Sequence, residues 1–283
     1  MRLKAFLRLA RIEHSIFLAI AVVIGELVVT EQIEAIPTIF GMLSVFFIGL
    51  GSFAINDIFD YKTDKLNKRL DRPLVSGKIS VLEARWLTVI SFLLGVMFSF
   101  LININCIIIG LVFTILSVAY STPPIRLKHL PLIGNLLIAS SMAIPLIYGN
   151  YIVSEEINGA IWILALIAFL TGFGREIIKS VQDVKGDQKY GAKTLPVIIT
   201  VQKSVIIAII PIFFAVVLSI IPFLLLPKFQ NNWLYLGPVL VTDLLLLWSI
   251  YLSIQLKELE KVRKMSLGAL GIGLIGFLLG ALF

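Results

Sequence analysis

Residues 36–64 read IPTIFGMLSVFFIGLGSFAINDIFDYKTD: twenty residues without a charge, then three aspartates and an asparagine within the last nine. An uncharged run of about 20 residues is long enough, as a helix, to cross a hydrocarbon core of about 30 Å. Acid packed against the end of such a run has to be solvated, paired with cations or bound to a metal ion. The rest of the chain extends the membrane reading. It is 59% hydrophobic and 14% charged, with a mean hydropathy of +1.01, whereas soluble domains carry roughly 25% charged residues. Apolar runs fall at 12–30, 36–55, 84–102, 106–120, 131–151, 159–175, 204–226, 233–254 and 266–283. The expectation is an all-α polytopic membrane protein with about nine transmembrane helices, forming one domain over 1–283.

Charge orients these spans. If they alternate, one side holds the N-terminus and the loops 56–83, 121–130, 176–203 and 255–265, and with Arg85 and Arg175 it carries 23 of the 24 Lys and Arg residues. Lys228 lies opposite, where the loops show Glu31, Glu34, Glu155 and Glu156. The positive-inside rule then puts the N-terminus and the acidic loops in the cytoplasm and the C-terminus opposite, in a multi-pass protein of the cell membrane. The net charge of +7 is a topology signal and an attraction for anionic lipid or substrate, and does not imply nucleic acid. No obligatory protein partner is evident. A single cysteine, Cys106, rules out a disulfide framework and a Cys-rich metal site. The start, MRLKAFLRLARIEHSIF, is basic but has no small-residue cleavage site, so it reads as a retained amphipathic lead into the first span.

The two longest basic-side loops resemble each other. DYKTDKLNKRLDRPLVSGKIS begins at Asp60 and DVKGDQKYGAKTLPVIITVQKS at Asp183; at a constant offset of 123, Asp60, Lys62, Asp64 and Pro73 match Asp183, Lys185, Asp187 and Pro196. This suggests a pseudo-twofold bundle, with halves at about 1–130 and 131–283, that shares one site under cytoplasmic cap loops. If the second span stays helical through residue 64, Asn56, Asp60, Asp64 and Asp57 fall at about 0°, 40°, 80° and 100° on one face. Carboxylates at i and i+4 repel by a few tenths of a kcal/mol, so something compensates. Loop lysines could do so. A hard cation fits better, because oxygen donors without His or Cys suit Mg²⁺, which completes its shell with water and substrate phosphate. Basic residues around the acids (Arg69, Arg72, Lys128, Arg175, Lys179, Lys189 and Lys193) would suit a diphosphate.

NDIFDYKTD with DRPLVSGKIS, and DVKGD with YGAKTLP, resemble the two aspartate-rich motifs of the UbiA-type intramembrane prenyltransferases; YSTPPIRLK and the nine-span layout are similar too, so the likeness covers nearly the whole chain. Within that family, GREIIKSVQDVKGDQKYGAKTLP looks most like the archaeal digeranylgeranylglyceryl phosphate synthases. The resemblance implies a helical bundle around a lipid-open chamber and Mg²⁺-dependent transfer of a long isoprenyl group, geranylgeranyl, from its diphosphate to a lipophilic acceptor. The implied acceptor is geranylgeranylglyceryl phosphate, in archaeal ether-lipid and so phospholipid biosynthesis. It further implies that Asn56, Asp57, Asp60, Asp64, Asp183 and Asp187 bind metal, with Asp57 at the edge of the arc and able to orient a ligand instead. Asp60, Asp64, Asp183 and Asp187 are the implied catalytic set. Arg72, Lys128 and Lys193, backed by Lys179 and Arg126, would bind the diphosphate, and Tyr120 would touch the donor or serve as an interfacial aromatic.

Two intramembrane acids, Glu26 and Asp243, stand as candidates for acceptor binding or general-base work, or as interhelical hydrogen-bond partners. Other functions remain in view. An aromatic acceptor, 4-hydroxybenzoate or a naphthoate, would place the reaction in quinone biosynthesis. A secondary transporter of an anionic lipid would also show a repeat and buried acids, but at the midplane rather than the membrane edge. A CDP-alcohol phosphotransferase would need a contiguous DG..AR motif, which is absent from the sequence.

Overall fold

Each apolar run becomes a helix, and several helices begin where a side chain takes up free N–H groups. Ser80 accepts a hydrogen bond from the Glu83 amide at 3.1 Å while the Glu83 carboxylate accepts from the Ser80 amide at 2.7 Å, a reciprocal cap. Asn103, Thr200 and Asn232 cap three further helices in the same way. The computed structural model describes residues 2–66, 68–189 and 191–283. In chain order the helices are α1 Arg2–Leu9, α2 Ile12–Leu27, α3 Ala35–Leu66, α4 Val81–Phe100, α5 Ile104–Ser121, α6 Ile133–Val153, α7 Gly159–Lys189, α8 Leu195–Ile198, α9 Val201–Leu218, α10 Ile221–Leu225, α11 Trp233–Ile254 and α12 Leu259–Leu282, with a 3₁₀ turn at Leu127–His129. No strand occurs among the described residues.

Among the described residues, eight helices are long and apolar enough to cross a membrane, α9 and α10 counting as one. The ninth expected span is α2, whose 16 residues cover only about 24 Å. Large apolar side chains such as Trp86, Leu93, Ile115, Phe213 and Leu244 face outward, as lipid requires and water would not tolerate in such numbers. Two helices outrun their apolar segments. At 32 and 31 residues, α3 and α7 are each over 45 Å long at about 1.5 Å per residue, so the acidic motifs ride on helical extensions beyond the hydrocarbon.

The backbone repeats at the offset seen in the sequence. Lys68 and Gly191, 123 residues apart, both take the left-handed conformation (φ 53° and 68°). In both cases the next amide reaches back to the motif, Arg69 N–H to the Asp64 carbonyl and Ala192 N–H to the Asp187 carbonyl, each at 3.0 Å. Glycine fits the second turn without steric cost. The halves cross at α2 and α6. A Cβ on Gly25 would lie 2.0 Å from the Leu146 carbonyl oxygen, and one on Gly149 would lie 1.9 Å from the Val22 carbonyl oxygen. Residues 25 and 149, like 22 and 146, are 124 apart, so the crossing is its own image under exchange of the halves. Apolar side chains from α2, α6, α7, α11 and α12 form the largest packed cluster, and a smaller one joins α1, α3 and α4. Between them lies a cavity.

Candidate active site

The cavity holds about 1450 Å³. Its lower part is apolar, with Val45, Ile48, Phe113, Ile138, Leu146 and Phe277 in the wall, and its upper part is ringed by the extended ends of α3 and α7. Asn56, Asp60 and Asp64 line it from α3, and Asp183 and Asp187 line it from α7. The helical arc read from the sequence therefore holds for three of its four members, and the second pair faces the same space.

Cations meet the first wall directly. Lys128 donates to Asn56 Oδ1 at 2.9 Å and to Asp60 Oδ1 at 2.5 Å, and Arg126 donates to Asp60 Oδ1 at 3.1 Å. The loop that brings them in is strained, since Arg126 sits at φ 41°, a region L-residues rarely occupy. Burial, followed by the charge of Arg126, lowers the Lys128 ammonium from its ordinary pKa, against the pull of Asp60. Arg72 Nε lies 3.7 Å from Asp64 Oδ2. The second wall is different. Asp187 Oδ2 accepts a hydroxyl hydrogen bond from Thr194 at 2.8 Å, and burial, followed by the negative charge of Asp183, raises the Asp187 carboxyl above its usual range. Arg69, from the loop after α3, lies within electrostatic reach of Asp183, so the two walls approach each other.

Two expected residues leave the cavity. Asp57 is 3% exposed and holds two guanidiniums, Arg72 at 2.9 Å and Arg11 at 3.1 Å. Those partners turn it away from Asn56 and Asp60 despite the shared arc, so it positions arginines. Lys193 is exposed and outside the lining, because Ala192 is buried and Thr194 turns in toward Asp187, which leaves the residue between them facing out. Arg72, Tyr120, Arg126, Lys128 and Lys179 all line the cavity as expected.

Other lining groups were not singled out from the sequence. Arg11 stands at φ 42°, stacks 4.9 Å above the Phe53 ring and reaches Asp57. Glu176 is buried and accepts from Arg175 at 2.6 Å and from Lys179 at 2.9 Å. A charged Arg–Glu step inside an otherwise apolar run was the available signal for Glu176; nothing local marked Arg11. Asp243 lines the deeper cavity with Ser219 donating to it at 2.8 Å, whereas Glu26 lies outside the lining and brackets the Thr38 hydroxyl at 2.7 and 2.9 Å.

The donor set suits a hard cation with a polyphosphate. The converging side-chain donors on the two walls are oxygens, yet among the described residues no three acidic, His or Cys side chains form a ready-made cluster. That matches an ion completing its shell with water and phosphate rather than with protein alone. Arg126 also keeps a buried Nε without a hydrogen-bond partner, and that of Arg72 has Asp64 only at ion-pair distance, 3.7 Å; a buried donor of the first kind calls for an anion.

Comparison with known proteins points the same way. The model of the UbiA prenyltransferase family matches residues 15–271. The digeranylgeranylglyceryl phosphate synthase of Archaeoglobus fulgidus is 37% identical over 99% of this chain and 96% of its own length. That of Sulfurisphaera tokodaii is 36% identical over 100% of this chain and 99% of its own. A solved structure of a protein described as digeranylgeranylglyceryl phosphate synthase superposes with a TM-score of 0.78 at 30% identity, covering 99% of each chain. A UbiA homolog from Archaeoglobus fulgidus bound to GPP and Mg²⁺ superposes with a TM-score of 0.68 at 22% identity over 96% of this chain and 99% of its own, a likeness of fold.

Proposed function

The chain belongs to the UbiA prenyltransferase family, and from that premise we propose that it transfers a geranylgeranyl group from its diphosphate to geranylgeranylglyceryl phosphate, a step in building archaeal ether lipid. The observation that carries this reading is the pair of acidic helix ends, repeated at 123 residues, that face one cavity with an apolar floor. The names of relatives at 37% and 36% identity support the acceptor. We read residues 1–283 as one domain whose halves, divided near residue 130, each supply one wall, with the motif-bearing side cytoplasmic and the C-terminus opposite.

Asn56, Asp60, Asp64, Asp183 and Asp187 would hold Mg²⁺, which supplies countercharge to the diphosphate as it departs. The remaining work falls to the chain's own groups. Lys128 and Arg126, fixed on Asn56 and Asp60, and Arg72, fixed on Asp57, present N–H groups to the phosphate oxygens. These donors are set before the substrate arrives, so no reorganisation is needed as charge develops on the leaving group. The apolar lower chamber takes the isoprenyl tail, excludes water and leaves the acceptor hydroxyl as the nucleophile at the allylic carbon. The C–O bond to diphosphate breaks, the new ether bond forms, and diphosphate and a proton are released. Tyr120 lines the same cavity, where an aromatic ring would stabilise positive charge developing at the allylic carbon.

The test is transfer itself. Purified protein receives labelled geranylgeranyl diphosphate with geranylgeranylglyceryl phosphate, 4-hydroxybenzoate or a naphthoate, with and without Mg²⁺. The expected result is labelled ether product from the glyceryl phosphate alone, and only with Mg²⁺. Prenylation of an aromatic acceptor instead, or movement of the lipid without consumption of donor, would overturn it.

A further inference from the structure

The diphosphate groups already described account for one end of the cavity's positive charge and leave a second concentration unexplained. Arg175, on α7, is 8% exposed and lines the cavity; its head group reaches Glu176, yet its Nε is buried without a partner. Arg263, half-buried on α12, lines the same cavity and lies within electrostatic reach of Arg175, like charge against like. His14, on α2, stands among the charges of Arg11, Arg175 and Lys179. Glu176 is the carboxylate shared by Arg175 and Lys179, and the Asp57 carboxylate that serves Arg11 is also taken by Arg72. Glu13 and Glu260 lie within electrostatic reach of His14 and Arg263 but outside the cavity lining, so among the lining residues where α2, α7 and α12 meet positive charge exceeds negative charge. A buried guanidinium nitrogen without an acceptor and two adjacent cations are both costly unless an anion joins them.

Position says which anion. Arg175 precedes Asp183 by eight residues, about 12 Å along the helix, which places it away from the acidic end of α7 and toward the apolar part of the cavity. Arg263 lies four residues into α12, which begins at Leu259. Both line the cavity apart from the acidic walls. The acidic walls take the donor's diphosphate in the proposed reaction, which leaves the acceptor's phosphate as the anion for these arginines, with Lys179, one turn from Asp183, between the two.

We infer that Arg175 and Arg263, with His14 beside them, form a second anion seat, which takes the phosphate monoester of the lipid acceptor and sets its hydroxyl beneath the donor's reacting carbon. The inference rests on the proposed reaction and adds the residues that select its acceptor.

The test reads acceptor binding apart from turnover. In nanodiscs without Mg²⁺ or donor, wild-type protein is titrated with geranylgeranylglyceryl phosphate, with the same lipid lacking its phosphate, and with glycerol phosphate lacking its chain. Wild type should bind the complete lipid at least tenfold more tightly than either fragment. Arg263→Gln should remove that preference for the phosphate, and in assays it should raise the acceptor KM about tenfold while the donor KM stays put. Lys261→Gln, an exposed charge paired with Glu258, should change neither. An Arg263→Gln effect on donor KM alone, no effect on acceptor binding, or equal affinity of wild type for chainless glycerol phosphate would each overturn the seat. Phosphate-selective lipid binding lost in Arg263→Gln, with no prenyl transfer by wild type, would keep the seat and sink the proposed reaction. Transfer with unchanged binding in Arg263→Gln would do the reverse.

Discussion

The two acidic walls derive from one repeated pattern, and the cavity treats them differently. On α3, Asn56 and Asp60 are engaged by Lys128 and Arg126, and Asp64 lies beside Arg72. On α7, Asp187 is held by a neutral hydroxyl from Thr194 and lies against the charge of Asp183. Position 71, the counterpart of Thr194 at the offset of 123, is an aspartate paired with Arg69 at 3.1 Å. The same backbone turn thus delivers a hydroxyl on one side and a salt bridge on the other. Symmetry of fold brought two carboxylate pairs to one space, and divergence of the loops divided the work. In the proposed reaction both walls supply metal ligands, the first adds the cations that would bind phosphate, and among the described residues the second keeps its carboxylates free of such cation partners.

Substitutions that treat the walls separately can break this comparison. The largest effect belongs to Asp187→Ala, which should lower transfer by about 10³, several kcal/mol of transition-state stabilisation, and raise the Mg²⁺ concentration needed for half-maximal rate. Lys128→Gln should cost about 10² in kcat/KM, the scale of losing one preorganised donor, mainly through donor KM and with the Mg²⁺ requirement unmoved. Equal shifts in Mg²⁺ requirement from both variants would erase the division of labour.

Asp57→Asn should act on the scaffold. Removing a buried charge that holds two arginines costs about 3 kcal/mol, visible as a lowered thermal midpoint in detergent, while the Mg²⁺ requirement of the folded fraction stays as in wild type. Lys193→Gln should change kcat/KM by less than about twofold, as exposed substitutions away from such features do; a loss on the scale of Lys128→Gln would return Lys193 to the site.

Much of this was legible in the chain. Apolar run length gave the helices, and a period of 3.6 residues put Asn56, Asp60 and Asp64 on one face, because both follow from local geometry. The offset of 123 announced the second wall for the same reason. What stayed hidden depends on helices crossing. Nothing within the first motif distinguishes Asp57 from Asp60; the approach of Arg11, just before α2, and of Arg72, after α3, turns one toward arginines while the other faces Lys128. Arg263 read as a topology signal, and Arg175 as that and as one of the basic residues suited to a diphosphate, since a basic residue at a span end carries the same charge whether it faces head groups or a cavity. Lys193 was one position out of phase with the inward-facing Ala192 and Thr194, a register set by the turn at Gly191 rather than by charge.

The central claim is that both walls hold one metal–diphosphate site, and Mn²⁺ in place of Mg²⁺ reads it directly. Electron paramagnetic resonance can measure Mn²⁺ bound in the presence of geranylgeranyl diphosphate for wild type, Asp64→Asn and Asp187→Asn. The account predicts that each variant weakens Mn²⁺ binding by at least about tenfold. Weakening by a substitution on one wall only, with wild-type affinity kept by the other variant, would contradict it.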